Sequence, residues 1–417
     1  MYLKGSKWSY NKRRRRSNPI AIILLLALIG AAAYINFVIV PTTQPLFVPT
    51  PTATRSAESY TADAQALENQ GKFSQAIDAF KLASQVNPGN ASNFLNMSRL
   101  MIWTGRYEEA LEQAGNALLI NPNNSMGYAL RGLAYGMLSQ WLDATGSLEK
   151  AIELDPNNAV AYAYLAEVLA NQYQSTPGDL GLADKAIEAS RTAQRLGPDL
   201  METHRARGLV LEITDNRTEA MVEYEAAIDI NPNIADLHIA LGRIYRAEGF
   251  LDDAKEQFNS AIALNPFDPE PLLYLSRTYL TAGEMGLAAQ YAESAIKLAP
   301  NDPFYYGNLG QILYRDNLYF DAIPVLRIAV RGGLAQDGSE VKGLPLDYGR
   351  VAEYYYTYGL ALARTGECGE ALQISNLLVQ GVPSDEIAVF NAEEMVSICQ
   401  QVADGEITIT PGTTPTP

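Results

Sequence analysis

Cysteine and histidine are nearly absent from this 417-residue chain, which has only Cys368, Cys399, His204 and His238. Residues so few and so far apart give no metal-ligand spacing. No Gly-rich phosphate loop, Ser/His/Asp arrangement or cofactor motif stands out either. Acidic residues are missing from residues 1–40, which instead hold Lys4, Lys7, Lys12 and Arg13 to Arg16. The net charge is −16, so the rest of the chain sets 24 cations against 47 carboxylates, about −23. A body this acidic is a poor ligand for nucleic acid, because phosphate binding needs clustered cations.

The basic segment 1–19 leads into 21 uncharged residues, Ile20 to Val40, ending at Pro41. At about 1.5 Å per residue a helix of that length spans about 30 Å, the thickness of a bilayer's hydrocarbon core. No cation follows until Arg55, so the positive-inside rule leaves the N-terminus cytoplasmic and the body extracytoplasmic. The run reads as an uncleaved signal anchor, held in the lipid bilayer through residues 20–40. The alternative is a signal peptide cleaved after Ala31 to Ala33, which would not need the apolar "YINFVIV" that follows. Pro and Thr dominate residues 41–56, an extended stalk, and they recur in 403–417, a disordered tail.

A period of 34 fills most of what remains. Phrases such as "INPNN" and "LNPFD" place Pro88, Pro122 and Pro156, and then Pro198, Pro232, Pro266 and Pro300, at that spacing. An eight-residue insertion at "YQSTPGDL" separates the two series, and a longer one at "AQDGSEVKGLPLDYGR" precedes the last period. With the proline as position 32, position 20 is Ala in all nine periods: Ala76, Ala110, Ala144, Ala186, Ala220, Ala254, Ala288, Ala322 and Ala371. Position 8 is always Ala, Ser or Gly, and position 27 is Ala except for Leu378. Small residues at fixed places let two helices approach to about 8–10 Å. Large apolar residues at positions 4, 11 and 24, such as Phe94, Tyr135 and Phe258, fill the space around the crossings.

This pattern resembles the tetratricopeptide repeat family over about residues 57–383. It departs from the family in lacking the leading Trp and, in period 8, the proline (Leu334). The resemblance implies an all-α, right-handed superhelical solenoid of helix–turn–helix repeats, whose first helices line a concave groove. Residues 384–402 then read as a C-terminal capping helix, since each repeat buries its apolar face on a neighbour.

Anchor, stalk, repeats, cap and tail account for the whole chain and leave no room for a catalytic domain. His204 and His238 both occupy position 4, a packing slot. Cys368, at position 17 of repeat 9, and Cys399, at position 14 of the cap, sit at the same end of their helices. A disulfide is therefore stereochemically reasonable in an oxidising compartment, with two unpaired thiols as the alternative. Positions 2, 5, 9, 12 and 13 of the first helices share one face. In repeats 2–4 that face carries Leu95, Arg99, Ile102, Trp103, Met126, Leu133, Met137 and Ala163, an apolar strip. In repeats 5–9 it carries Arg205, Arg243, Arg246, Arg277, Arg315 and Arg364, with acids at position 2 such as Asp236 and Glu270.

Two roles are open for this face. It is a groove that grips a protein or peptide, with Met and Trp giving adaptable contact and Arg capturing carboxylates. Otherwise neighbouring helices cover the strip and the arginines pair with the rim acids. The family's two-carboxylate clamp is absent, because repeat 1 offers Thr61 and Gln65 and repeat 3 offers Met126 and Leu130 at its positions. The expectation is a membrane-anchored, non-catalytic scaffold. The alternatives are a structural component of a cell-envelope assembly or an accessory subunit of an envelope enzyme.

Overall fold

A computed structural model describes residues 18–39, 55–176 and 178–406. The chain divides into two units, residues 1–55 and 56–417. In the first unit, helix α1 (Pro19–Tyr34) continues through a π-helical turn, Ile35–Ile39. Pro19 stands at its N-terminus, where a missing N–H costs nothing, and the Asn18 side chain accepts from Ile20 N at 3.2 Å. Residues 19–38 are long and apolar enough to cross a membrane, and none of their side chains is buried. The basic segment before Asn18 and the stalk up to residue 54 lie outside the described residues, as does the tail beyond residue 406.

The second unit is a solenoid of helices packed in consecutive pairs. The pairs begin with α2 (Ala57–Glu68) and α3 (Phe73–Val86), α4 (Ala91–Trp103) and α5 (Tyr107–Ile120), and α6 (Ser125–Met137) and α7 (Trp141–Leu154). Next come α8 (Ala159–Ser175) and α9 (Leu180–Leu196), α10 (Met201–Ile213) and α11 (Arg217–Ile230), and α12 (Ala235–Ala247) and α13 (Leu251–Leu264). The last pairs are α14 (Glu270–Thr281) and α15 (Met285–Leu298), α16 (Pro303–Arg315) and α17 (Tyr319–Arg331), and α18 (Arg350–Arg364) and α19 (Cys368–Gly381). A final helix, α20 (Glu386–Ala403), packs on both α18 and α19.

The repeated phrases explain the helix boundaries. The proline at position 32 stops a pair, and after Pro88, Pro122 and Pro156 an Asn two residues later starts the next. Asn90, Asn124 and Asn158 accept from Ser92 N, Gly127 N and Ala161 N at 3.1, 2.9 and 3.1 Å, satisfying donors that the helix leaves unpaired. All nine position-20 alanines have no exposed surface. Position 8 is small because position 24 of the partner helix presses on it. A β-carbon on Gly208 would meet the Tyr224 ring at 2.9 Å, and one on Gly242 would meet Phe258 at 2.7 Å. Where position 8 is Ser98, its hydroxyl donates to Ala110 O at 2.9 Å, spanning the same crossing.

Both insertions take definite structure. The first lengthens α8 and α9 to 17 residues each. The second forms a β-hairpin, β1 (Gly332–Leu334) with β2 (Glu340–Lys342), in antiparallel register from Gly332 opposite Lys342 to Leu334 opposite Glu340. No strand was expected there. The signal was the Asp337-Gly338 pair, with Gly338 at φ +85° in the tight turn. Val341 anchors the hairpin, buried against Tyr306 and Ala329.

The winding brings non-neighbouring pairs together. Gly71, between α2 and α3, lies against Asn233 in the turn before α12. Beside that contact Ile234 has no exposed surface, whereas Leu200, its equivalent one period earlier, is 38% exposed.

Candidate functional site

The first helices of successive pairs carry the residues singled out by position, but the structure distributes them unevenly. Leu133 (1% exposed) and Trp103 (6%) are in the core, and Ile102 and Ala163 are buried with them. The Trp103 ring tilts against Phe73 at 5.5 Å between centroids. The expectation of an open apolar strip is corrected for these residues, because neighbouring helices pack over Ile102, Trp103, Leu133 and Ala163. Leu95, Met126 and Met137 remain half-buried.

The arginines do find acids, but on the preceding first helix and not at position 2 of the rim. Arg99 of α4 reaches Glu68 of α2 at 2.7 Å while lying 5.0 Å over the Trp103 ring. Arg205 of α10 makes two bonds, 2.8 and 2.7 Å, to Glu167 of α8. Arg243 of α12 pairs with Glu212 of α10. Burial works against the charge on Arg205, but the contacting Glu167 carboxylate outweighs it and holds the guanidinium protonated. Each of these pairs bolts one first helix to the next, and removing one member would strand a shielded charge. Among the described residues Arg246 and Arg277 have no such partner, and Arg315 is exposed.

Two hollows gather most of the rest. The smaller, about 380 Å³, is lined by Leu95, Arg99 and Met126 together with Tyr164 and Glu202. The larger, about 570 Å³, exists because of the winding. Trp103, Tyr107 and Met137, from the second and third pairs, face Asp236, Arg243, Phe267, Asp268 and Glu270 of the sixth and seventh, with Glu167 and Arg205 between them. Burial pushes the Asp236 carboxyl up to about 7, against the pull of Arg205 and with the push of Glu270 and Asp268. Burial also raises Asp268 and Glu270 above the usual carboxylate range. The Tyr107 hydroxyl is raised well above its ordinary value, by burial and then by these same three carboxylates.

Tyr107, Phe267 and Asp268 escaped the sequence reading because they belong to a second helix and to a turn. Only the superhelical path carries them to the first-helix face. Phe267 is 82% exposed at the hollow's edge, and its one sequence signal was an aromatic in the turn "LNPFD".

The histidines are packing residues that bond locally. His204 Nδ1 meets Glu223 at 2.7 Å, and His238 engages Gln257 and Pro232 O at 2.8 and 2.9 Å. Cys368 and Cys399 form a disulfide with Cα atoms 5.5 Å apart, tying the start of α19 to α20. Among the described residues no group of three His, Cys, Asp or Glu side chains is placed to hold a metal ion.

Three segments, residues 68–134, 147–176 and 239–303, match sequence profiles described as tetratricopeptide repeat. No curated protein matches the chain. Among solved structures, a thermophilic tetratricopeptide-repeat protein of Thermus thermophilus is similar, with 22% identity, 46% of this chain and 100% of that one covered, and a TM-score of 0.40. A tetratricopeptide-repeat protein of Parabacteroides merdae shows 15% identity, 62% and 98% coverage, and a TM-score of 0.39. The chain is thus an all-α solenoid of helix–turn–helix units that carries tetratricopeptide-repeat sequence in those three segments.

Proposed function

We propose that this protein is a membrane-anchored, non-catalytic scaffold of nine tetratricopeptide repeats that binds a protein or peptide segment along its first-helix face. The observation that carries the proposal is the 570 Å³ hollow, where exposed Phe267 and half-buried Met137 sit beside Asp236, Asp268 and Glu270, which have no salt-bridge partner among the described residues. Concave sites with an apolar lining and a few convergent polar groups are where ligands bind. Interaction rather than catalysis is the usual work of such repeats, and the lining offers no nucleophile activated by a base. Helix α1 serves as the anchor through residues 20–40, with the repeats extracytoplasmic. A photo-crosslinking amino acid at Phe267 tests the binding face, with the same residue at Leu142, 86% exposed on a second helix, as the comparison. Adducts of one discrete protein at position 267 and none at 142 support the groove.

A second reading, a structural component of an envelope assembly, draws on Leu119 and Leu142. Both lie on second helices, at 83% and 86% exposed, and Leu334 on the hairpin is 70% exposed. Adducts between copies of this chain at 142 alone would favour it.

A further inference from the structure

Two guanidiniums on the first-helix face have no carboxylate partner among the described residues. Arg246 closes α12 with its Nε shielded from solvent and without a hydrogen-bond acceptor among the described residues. Its guanidinium carbon lies 6.0 Å from the centre of the Tyr274 ring, which Arg243 approaches to 5.8 Å from the same helix. Arg243 is neutralised by Glu212, so its charge is spent. Arg277 of α14 is held by neutral groups only. Its Nε donates to Asn308 Oδ1 at 3.0 Å, and an Nη donates to the Tyr354 hydroxyl at 3.4 Å. Asn308 is itself fixed by donating to Ser276 Oγ at 2.7 Å.

Other guanidiniums crowd this pair, and the nearby acids are engaged elsewhere, Glu212 by Arg243 and Glu353 by Arg350. Burial lowers Arg246, and so do Arg277, Arg350 and Arg243. Burial lowers Arg277 as well, with Arg350 adding to the effect against Tyr354. Arg350 spends part of its charge on Glu353 at 3.0 Å. In a body of about −23, folding has gathered unpaired cations at one place while Arg99, Arg205 and Arg243 each received an acid. Such a concentration costs stability unless an anion joins it, and perturbed groups of this kind mark functional sites.

From this placement we infer that Arg246 and Arg277 form an oxyanion site on the groove face that takes a carboxylate of an extended acidic peptide. The inference rests on the groove reading and deepens it. Planar guanidiniums held by Asn308 and Tyr274 lose little freedom on forming bidentate bonds to a carboxylate. Asp236 and Glu270 stand in the first turns of α12 and α14, and Arg246 and Arg277 lie further along the same two helices, so the acids and the free arginines are separated across the groove face.

The test uses the full chain in detergent micelles, with fluorescent hexaglutamate as the probe and hexaserine as the neutral control. Hexaglutamate should bind with an affinity that falls as salt rises, and hexaserine should bind at least tenfold more weakly. Arg246→Gln should weaken hexaglutamate tenfold or more, and Arg195→Gln, an exposed arginine on α9, should leave it unchanged. Because Arg246 has no acceptor to lose, Arg246→Gln should hold or raise the Tm, whereas a merely structural arginine would lower it. Equal binding of both peptides, or undiminished hexaglutamate binding to Arg246→Gln, overturns the site. Displacement of hexaglutamate from wild type by inorganic phosphate but not by acetate overturns the carboxylate assignment. Discrete adducts at position 267 with no hexaglutamate binding would sink this inference alone, whereas absence of those adducts would sink the groove reading itself.

Discussion

Gly71 and Asn233 touch across the winding of the solenoid: a β-carbon on Gly71 would come within 2.5 Å of the Asn233 side-chain oxygen. Solenoid repeats ordinarily contact only their neighbours, so stability is close to a sum of repeat and nearest-neighbour terms. Here the first pair also rests on the turn between the fifth and sixth, and the same winding sets the second and third pairs across the 570 Å³ hollow from the sixth and seventh.

Gly71→Ala tests the closure against Gly105→Ala. Both glycines hold positive φ, +72° and +74°, so both substitutions carry about 1 kcal/mol of backbone cost. Only position 71 adds a clash, since Gly105 has open space around it. Chemical denaturation should show Gly71→Ala to be the more costly by about 1–2 kcal/mol, and adding Asn233→Gly should recover most of the difference.

Asp236 gives the hollow a pH signature. Its folded carboxyl titrates near 7, raised from 3.8, so the folded protein keeps a proton that the unfolded chain has released. Stability from this group is therefore full below about pH 4 and lost as pH rises through 7. Asp236→Asn should match wild type near pH 4 and exceed it at pH 8 by about 4 kcal/mol, at about 1.36 kcal/mol per pKa unit. A constant difference across a Tm-against-pH series would remove Asp236 from the account.

Most of the fold was legible because its cause is local and periodic. Ala at position 20, Gly or Ser at position 8 and Asn after the proline each answer to one crossing or one cap, and each recurs often enough to be read. The site was legible only in part. Position on a first helix places a side chain on the inner face, but whether Trp103 ends in the core or at a surface depends on Phe73, from another pair. Tyr107 and Phe267 meet the site only through superhelical pitch, a sum of small rotations that no single repeat encodes. The partner of Arg243 was not legible, because Glu212 lies on the preceding first helix and not on the rim.

The disulfide should stabilise the C-terminal end. It closes a loop with a sequence separation of 31 and holds down α20, whose own Met395 and Ile398 are buried. Cys399→Ala should cost about 2–4 kcal/mol, and wild type unfolded without reductant should show no free thiol to a labelling reagent. Two reactive thiols in material from the native compartment would contradict the bridge.

Residues 20–40 decide the compartment. As an anchor, α1 keeps the protein in the membrane fraction after a carbonate wash, and protease added outside the membrane digests the repeats. A mature N-terminus near Tyr34 would instead mark a cleaved signal.

If a partner seats in the hollow, Phe267 is the cleanest place to measure it, since substituting Trp103 would disturb the core as well. At 82% exposed, Phe267 can become Asp with little effect on folding. Titrating the partner captured at that position into wild type and Phe267→Asp, with Tm measured alongside, should show at least a tenfold loss of affinity at unchanged Tm. Equal affinities at equal Tm would contradict the claim that the first-helix face is the working surface.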